Sequence, residues 1–218
     1  MSAPLRVVVL ISGTGSNLQA ILDAQRREGY TVVGVISNRP QAAGLGRAAQ
    51  AGVPARSVDH SRYADRPAFE AALEAEVARF APDLIALAGF MRVLTADFVA
   101  RFEGRMLNVH PSLLPAYRGL HTHARVLAAG ETWHGSSIHF VTAELDGGPV
   151  VLQGRLPIRP GETEDDLRER VQGLEHRLYP KVLGWIARGR LRWQDGPWFD
   201  GAPLREPIQW GEAVGCAS

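Results

Sequence analysis

LRVVVLISGTGSN, residues 5–17, sets an unbroken apolar run directly before a glycine-rich turn. The run from Leu5 to Ile11 is β-branched and aliphatic throughout, the pattern of a parallel strand covered on both faces. It ends in Ser12-Gly13-Thr14-Gly15-Ser16-Asn17, after which Leu18, Ile21 and Leu22 recur at helical spacing up to Gly29. The glycines therefore join a strand's carboxyl end to a helix's amino end. Backbone N–H groups and the helix dipole make such a junction an anion site, and small residues let a phosphate approach. Ser16 and Asn17 add side-chain donors. The loop is not a dinucleotide fingerprint, because Leu18 stands where a third glycine is needed. The next strand, Thr31 to Ile36, ends in Ser37-Asn38 instead of an acidic residue, and no Gly-Lys-Ser/Thr of a Walker loop is present. A monophosphate cradle and a purely geometric turn are the two readings left.

Outward from this unit the alternation continues. A Gly/Ala-rich helix spans Ala42 to Ala51, a strand Val53 to Val58, and an amphipathic helix Arg66 to Phe80 with Phe69, Leu73, Val77 and Phe80 on one face. A buried strand, Leu84 to Leu87, runs into the loop Ala88 to Leu94; Thr95 caps a helix reaching Phe102; and Met106 to His110 is the next strand. Strands alternating with helices in this way predict an α/β fold, a doubly wound, mostly parallel sheet with helices on both faces.

Beyond Pro111 the pattern changes. Ser112 to His123 is an aperiodic loop, Ala124 to Ala129 a short helix, and Gly135–Val141 and Val150–Leu156 an antiparallel pair of strands. Thr163 and Asp166 form a capping box for a long helix that Pro180 should kink. Leu191–Trp193 and Trp198–Phe199 suggest a small hairpin, with the chain frayed from Pro207. The expected organisation is a single domain over residues 1–205, its halves at 5–105 and 106–190, and a flexible tail at 206–218.

With 218 residues, 45% hydrophobic and 22% charged, the chain can bury a full core. A formal net charge of +1 and the lack of a Lys/Arg block argue against nucleic-acid partners. The single cysteine, Cys216, allows no intramolecular disulfide and no cysteine-based metal cluster. Neither a secretory leader nor a membrane-spanning run is legible, so a soluble cytoplasmic protein without membrane partners is expected.

The chemistry concentrates at MLNVHPSLL, residues 106–114. Asn108 and His110, two apart on a strand, point to the same side at the carboxyl edge, where open α/β sheets bind ligands. An amide N–H can donate to a developing oxyanion, and an imidazole can exchange a proton near neutral pH. The pair suits chemistry at a carbonyl, against a turn asparagine with a hydrogen-bonded loop histidine. Asp146, before two glycines, is either a turn residue or a carboxylate that orients His110. His121 and His123 have metal-ligand spacing but no cysteine or carboxylate beside them, so no metal is expected. Glu175 and His176 read as solvated helix residues.

Four stretches then coincide: SGTGSN, LAGFMRVL at Leu87–Leu94, NVHPSLLP at Asn108–Pro115, and HFVTAELDGGPVVLQ at His139–Gln153. Together they resemble the folate-dependent phosphoribosylglycinamide formyltransferases, over nearly the whole chain from Arg6 to Leu204. The motifs Asn-x-His-Pro-Ser-x-Leu-Pro and Leu-Asp-x-Gly are shared among formyltransferases. SGTGSN, Gly119–His123 and the late Glu-His with Tyr179-Pro180 narrow the resemblance. It implies a Rossmann-like fold and formyl transfer from 10-formyltetrahydrofolate to glycinamide ribonucleotide in purine synthesis. It further implies Asn108, His110 and Asp146 as catalytic residues, with Gly13, Thr14, Gly15, Ser16 and Asn17 on the substrate's phosphate and Glu175 on its ribose. Arg66, Met91, Arg92, Val93, Leu94 and Asn108 would meet the folate. The partners implied are small molecules, with a homodimer left open. Ala116-Tyr117-Arg118 is a departure from the family, where a lysine followed by an aromatic and then Pro-Gly or Lys-Gly is common at this place. Three alternatives stand beside this one. A methionyl-tRNA formyltransferase is expected to carry a further carboxy-terminal domain, and a formyltetrahydrofolate hydrolase an amino-terminal one. In a non-catalytic nucleotide-binding module, His110 and Asp146 would be structural.

Overall fold

Val7, Val9 and Ile11 of the first strand (β1, Leu5–Ile11) face one side of a sheet while Val8 and Leu10 face the other, all of them out of contact with solvent. That division is what a strand buried on both faces requires. The first set packs against Leu18, Ile21 and Leu22 of α1 (Ser16–Glu28) and against Leu174, Leu178 and Val182 of α6 (Glu164–Ala187). The second packs against Phe69, Leu73 and Val77 of α3 (Arg66–Phe80) and Phe98 and Val99 of α4 (Ala96–Arg101). Helices therefore cover both faces, as expected of a doubly wound fold. The computed structural model describes residues 3–210.

The main sheet adds β2 (Tyr30–Ser37), β3 (Ala55–Ser57), β4 (Leu84–Leu87), β5 (Met106–His110), β6 (Trp133–Phe140), β7 (Val150–Pro157) and β11 (Ile208–Trp210), in the order β11-β7-β6-β5-β4-β1-β2-β3. β1 to β5 are mutually parallel, β6 is antiparallel to both β5 and β7, and β11 is parallel to β7. Two shorter helices, α2 (Gly44–Gln50) and α5 (Thr122–Ala128), pack beside α1 and α6 respectively. The expected hairpin is one part of a three-stranded sheet of β8 (Leu191–Trp193), β9 (Pro197–Phe199) and β10 (Ala202–Pro203).

The expected fraying from Pro207 is corrected: Ile208, Gln209 and Trp210 align with Leu152, Gln153 and Gly154 and extend the main sheet. Three residues carry too little periodicity to announce a strand whose partner lies more than fifty positions away. The remainder of the expected tail, with Cys216, lies outside the described residues. Local signals fared better. Thr163 and Asp166 form a reciprocal capping box, and the Thr95 side chain caps α4. Pro180 lies inside α6 without ending it.

One buried side chain locks α6 to β4 and β5. Tyr179 has no exposed surface, and its hydroxyl proton is shared between Leu107 O at 2.9 Å and Leu87 O at 3.1 Å, on β5 and β4. Tyr179→Phe removes the donor and leaves two buried carbonyls without it, at a cost of about 1–3 kcal/mol. Urea unfolding should show a lower midpoint at unchanged slope; an unchanged midpoint would contradict the role.

Candidate active site

The sheet order reverses at β1, with β4 on one side and β2 on the other. Crevices at such switch points are where open α/β sheets bind ligands. Here the glycine loop is shaped from behind. Gly15 has φ 72°, in the left-handed region, and a Cβ on it would lie 2.8 Å from Gly44 Cα. Only glycine meets both demands. Gly44 N donates to Gly13 O at 3.0 Å, and Arg47 Nε donates to Thr14 O at 2.8 Å. Ser12 Oγ joins three strand ends: it donates to Asn38 Oδ1 at 2.5 Å, beyond β2, and accepts from Met91 N at 2.8 Å, beyond β4. Asn38, where a dinucleotide fold would place an acid, thus holds the loop. The result is a cleft of about 340 Å³ lined by the 13–17 loop, Met91, Val109, Pro111, His123 and Glu175.

Glu175 is corrected from a solvated helix residue to a buried one, 7% exposed at the cleft. Asn17 Nδ2 donates to its Oε2 at 2.8 Å. Ser136 Oγ lies 3.4 Å from Oε1 but only 2.9 Å from His110 O, so its one proton belongs to the nearer carbonyl. Burial raises the Glu175 pKa from an ordinary 4.5 to about 7, against the pull of the Asn17 hydrogen bond. Folding therefore favours the neutral acid. Its contribution to stability is complete below pH 4.5 and is lost as pH rises through about 7. Glu175→Gln removes this dependence. Between pH 5 and 8 the wild type should lose on the order of 3 kcal/mol relative to the variant. Thermal unfolding of both across that range is the check, and parallel curves would refute it.

The catalytic candidates meet where β5 pairs with β6. His110, 5% exposed, places Nδ1 3.3 Å from Asp146 Oδ2 and Nε2 3.0 Å from Tyr117 O. Both ring nitrogens thus face oxygen acceptors, the arrangement that suits an imidazolium. Asp146, at φ 48°, stands in a left-handed turn that aspartate tolerates, and Gly119 N donates to its Oδ2 at 2.9 Å. The departing segment 116–118 is part of this assembly: Tyr117 supplies the carbonyl on His110, and Arg118 pairs with Glu144, two residues before Asp146.

His139 is the residue that sequence reasoning missed. It sits opposite Asn108 in the β5–β6 register and is 2% exposed. Its Nδ1 lies 2.9 Å from Phe140 O, an acceptor, so Nδ1 carries the proton; burial, above all, lowers its pKa and keeps the ring neutral. Nε2 is then free to accept from Asn108 Nδ2 at 3.2 Å. One amide hydrogen is committed to His139, leaving the other for a ligand. The alternation of Ser137 and His139 along β6 carried the signal, but not the partner.

On the remaining flank, Met91 and Val93 are exposed, Leu94 is buried, and the Arg92 guanidinium stands 6.0 Å from the Phe69 ring centroid. Thr95 N donates to Glu70 Oε1 at 2.8 Å, tying this loop to the start of α3, where Arg66 is exposed one turn earlier. His123 Nδ1 meets His134 Nε2 at 3.0 Å, and among the described residues no group of three His, Cys, Asp or Glu side chains is placed to hold a metal ion. No helix there is long and apolar enough to cross a membrane.

A family model described as formyl transferase matches residues 5–183. The phosphoribosylglycinamide formyltransferase of Escherichia coli (strain K12) is 50% identical over 203 residues, 92% of this chain and 96% of that protein. The human trifunctional purine biosynthetic protein adenosine-3 is 42% identical over 189 residues, 86% of this chain and 19% of that longer one. Among solved structures, the phosphoribosylglycinamide formyltransferase of Coxiella burnetii superposes with a TM-score of 0.91 at 49% identity, covering 95% of this chain and all of that one. With the strand order, the glycine loop and the Asn108, His110 and Asp146 cluster already in place, these likenesses mean that the chain belongs to the formyl transferase family, among its phosphoribosylglycinamide formyltransferases.

Proposed function

We propose that the protein transfers the formyl group of 10-formyltetrahydrofolate to the amine of N1-(5-phosphoribosyl)glycinamide in the cytoplasm. The products are formylglycinamide ribonucleotide and tetrahydrofolate, a step of purine biosynthesis. The observation that carries this reading is the junction of two sites in one cleft. Val109 and Pro111, which flank His110, line the same space as the 13–17 anion loop. A phosphate on that loop and a carbonyl at His110 belong to two substrates meeting end to end.

In this reading, backbone N–H groups of Gly13 to Asn17 hold the phosphate and Glu175 accepts from the ribose hydroxyls. The loop Met91 to Leu94, with Arg92 and with Arg66 nearby, holds the folate. The neutral amine attacks the formyl carbon, and the oxygen's developing charge is met by Asn108 Nδ2–H and by His110. His110 Nε2 donates to Tyr117 O at 3.0 Å in this structure, so the oxyanion takes over a hydrogen bond that already has its direction. Asp146 stabilises the imidazolium from the other side. The attacking nitrogen then loses a proton, directly or through water, and N10 of the folate gains one as it leaves.

The test is the absorbance of the formyl donor with and without the ribonucleotide. Loss only with the ribonucleotide is expected. Loss without it would mean a hydrolase, and no loss in either case would leave a binding module.

A further inference from the structure

His123 and His134 form a buried imidazole pair that the reaction as derived does not use. Their rings meet edge-on, 5.1 Å between centroids at 87°, with His123 Nδ1 3.0 Å from His134 Nε2. His123 is 9% exposed and His134 1%. A hydrogen bond between two imidazoles needs one nitrogen to donate and one to accept, so the pair is at home as two neutral rings. Its surroundings agree. Burial lowers both pKa values, that of His134 to about 4. Arg168 and His110 push His123 the same way while Glu164 opposes; His123 and His110 push His134 the same way while Glu162 opposes.

His123 lines the cleft together with the 13–17 loop and Glu175, and among the described residues its Nε2 has no partner. The ring is gripped by one nitrogen and leaves the other for whatever fills the cleft. Which tautomer it adopts follows from the ligand. Phosphate and ether oxygens only accept hydrogen bonds, and the hydroxyl donors of a ribose are already matched by Glu175. Arg168 and Gln172 line the same cleft as side-chain donors, and Nε2–H adds an uncharged one.

We propose that His123 is a ribonucleotide-binding residue whose Nε2–H donates to the phosphoribosyl group, and that His134, donating its own Nε2–H to His123 Nδ1, fixes the tautomer that makes this contact. The inference rests on the cleft being the ribonucleotide site. His123 touches the substrate; His134 is a positioning residue. Because both rings stay uncharged near neutrality, the contact should not titrate there.

Steady-state kinetics test it. His123→Ala should raise KM for glycinamide ribonucleotide about tenfold, the worth of one hydrogen bond to a charged acceptor, with kcat and KM for the formyl donor within about twofold. His123→Gln, which keeps an N–H near the Nε2 position, should recover part of that loss. His134→Phe should raise the same KM by about three- to tenfold, as His123 loses its fixed tautomer. An unchanged ribonucleotide KM in His123→Ala, or equal rises in both KM values, would overturn the proposal. Where a variant fails to fold, the unsubstituted protein decides. With ¹⁵N-labelled histidine, ribose 5-phosphate should shift the His123 Nε2–H resonance, and no shift would overturn the assignment. Wild-type turnover that ignores the ribonucleotide would defeat the functional reading instead, which separates the two failures.

Discussion

His110→Ala should lower kcat by about a thousandfold or more while leaving both KM values within a fewfold of wild type. The ring is held from both ends, by Asp146 Oδ2 and Tyr117 O, and little of it reaches solvent. Such a group adds little to ground-state binding. In the proposed mechanism its work falls where the formyl oxygen becomes an oxyanion, and alanine leaves that charge with Asn108 alone. Asp146→Asn should fall short of this by about tenfold, because the imidazole remains but loses the carboxylate that favours its cation. It also puts an amide where Gly119 N needs an acceptor, although the remaining side-chain oxygen can still serve. Stopped-time assays of both variants at saturating substrates give the comparison. Wild-type-like turnover in His110→Ala would remove it from the mechanism, and a KM effect without a kcat effect would make it a binding group.

Gly135→Val should destabilise the fold by on the order of 3 kcal/mol, or about 6–12 °C in Tm for a chain of this size. Gly135 lies in β6, opposite Arg155 of β7, and a Cβ there would sit 2.0 Å from Gly154 O and 2.9 Å from Leu113 Cδ2. A backbone carbonyl in a sheet ladder cannot step aside as the end of a flexible side chain can. The strands must separate locally, and the strain lands on the strand that carries Ser136, Ser137 and His139. Calorimetry would register the loss of stability, and a Tm equal to wild type would show that the ladder yields without cost. Kinetics of the same variant, measured well below its Tm, should show a lowered kcat as Asn108 loses its orientation by His139.

What could be read from the chain alone was what neighbouring residues decide. The strand Leu5–Ile11, the glycine loop, the Thr95 cap and the Thr163–Asp166 box are set within a few positions, and each is found where its pattern placed it. The residues of the site were nameable because Asn108 and His110 share one strand and the family resemblance supplied Asp146. What escaped was decided by pairing across long separations. Asn108 meets His139 because β6 runs antiparallel to β5, and nothing local to either residue announces the other. Glu175 read as a helix-surface acid because a glutamate in an amphipathic helix is seldom buried without a partner, whereas α6 turns it toward Asn17, 158 positions away. His123 was weighed as a metal ligand with His121; its partner is His134, brought there by the turn between α5 and β6.

The short strand Ile208–Trp210 has a practical consequence for anyone shortening this protein. It occupies the outer ladder of β7 over Leu152–Gly154, and Gln209 Nε2 donates to Gln153 Oε1 at 3.2 Å. A truncation before Pro207 would expose a row of unpaired amides beside apolar side chains, a template for intermolecular strand addition. Preparations cut there should tend to self-associate and precipitate on concentration, while a tag spaced beyond the strand leaves that edge closed.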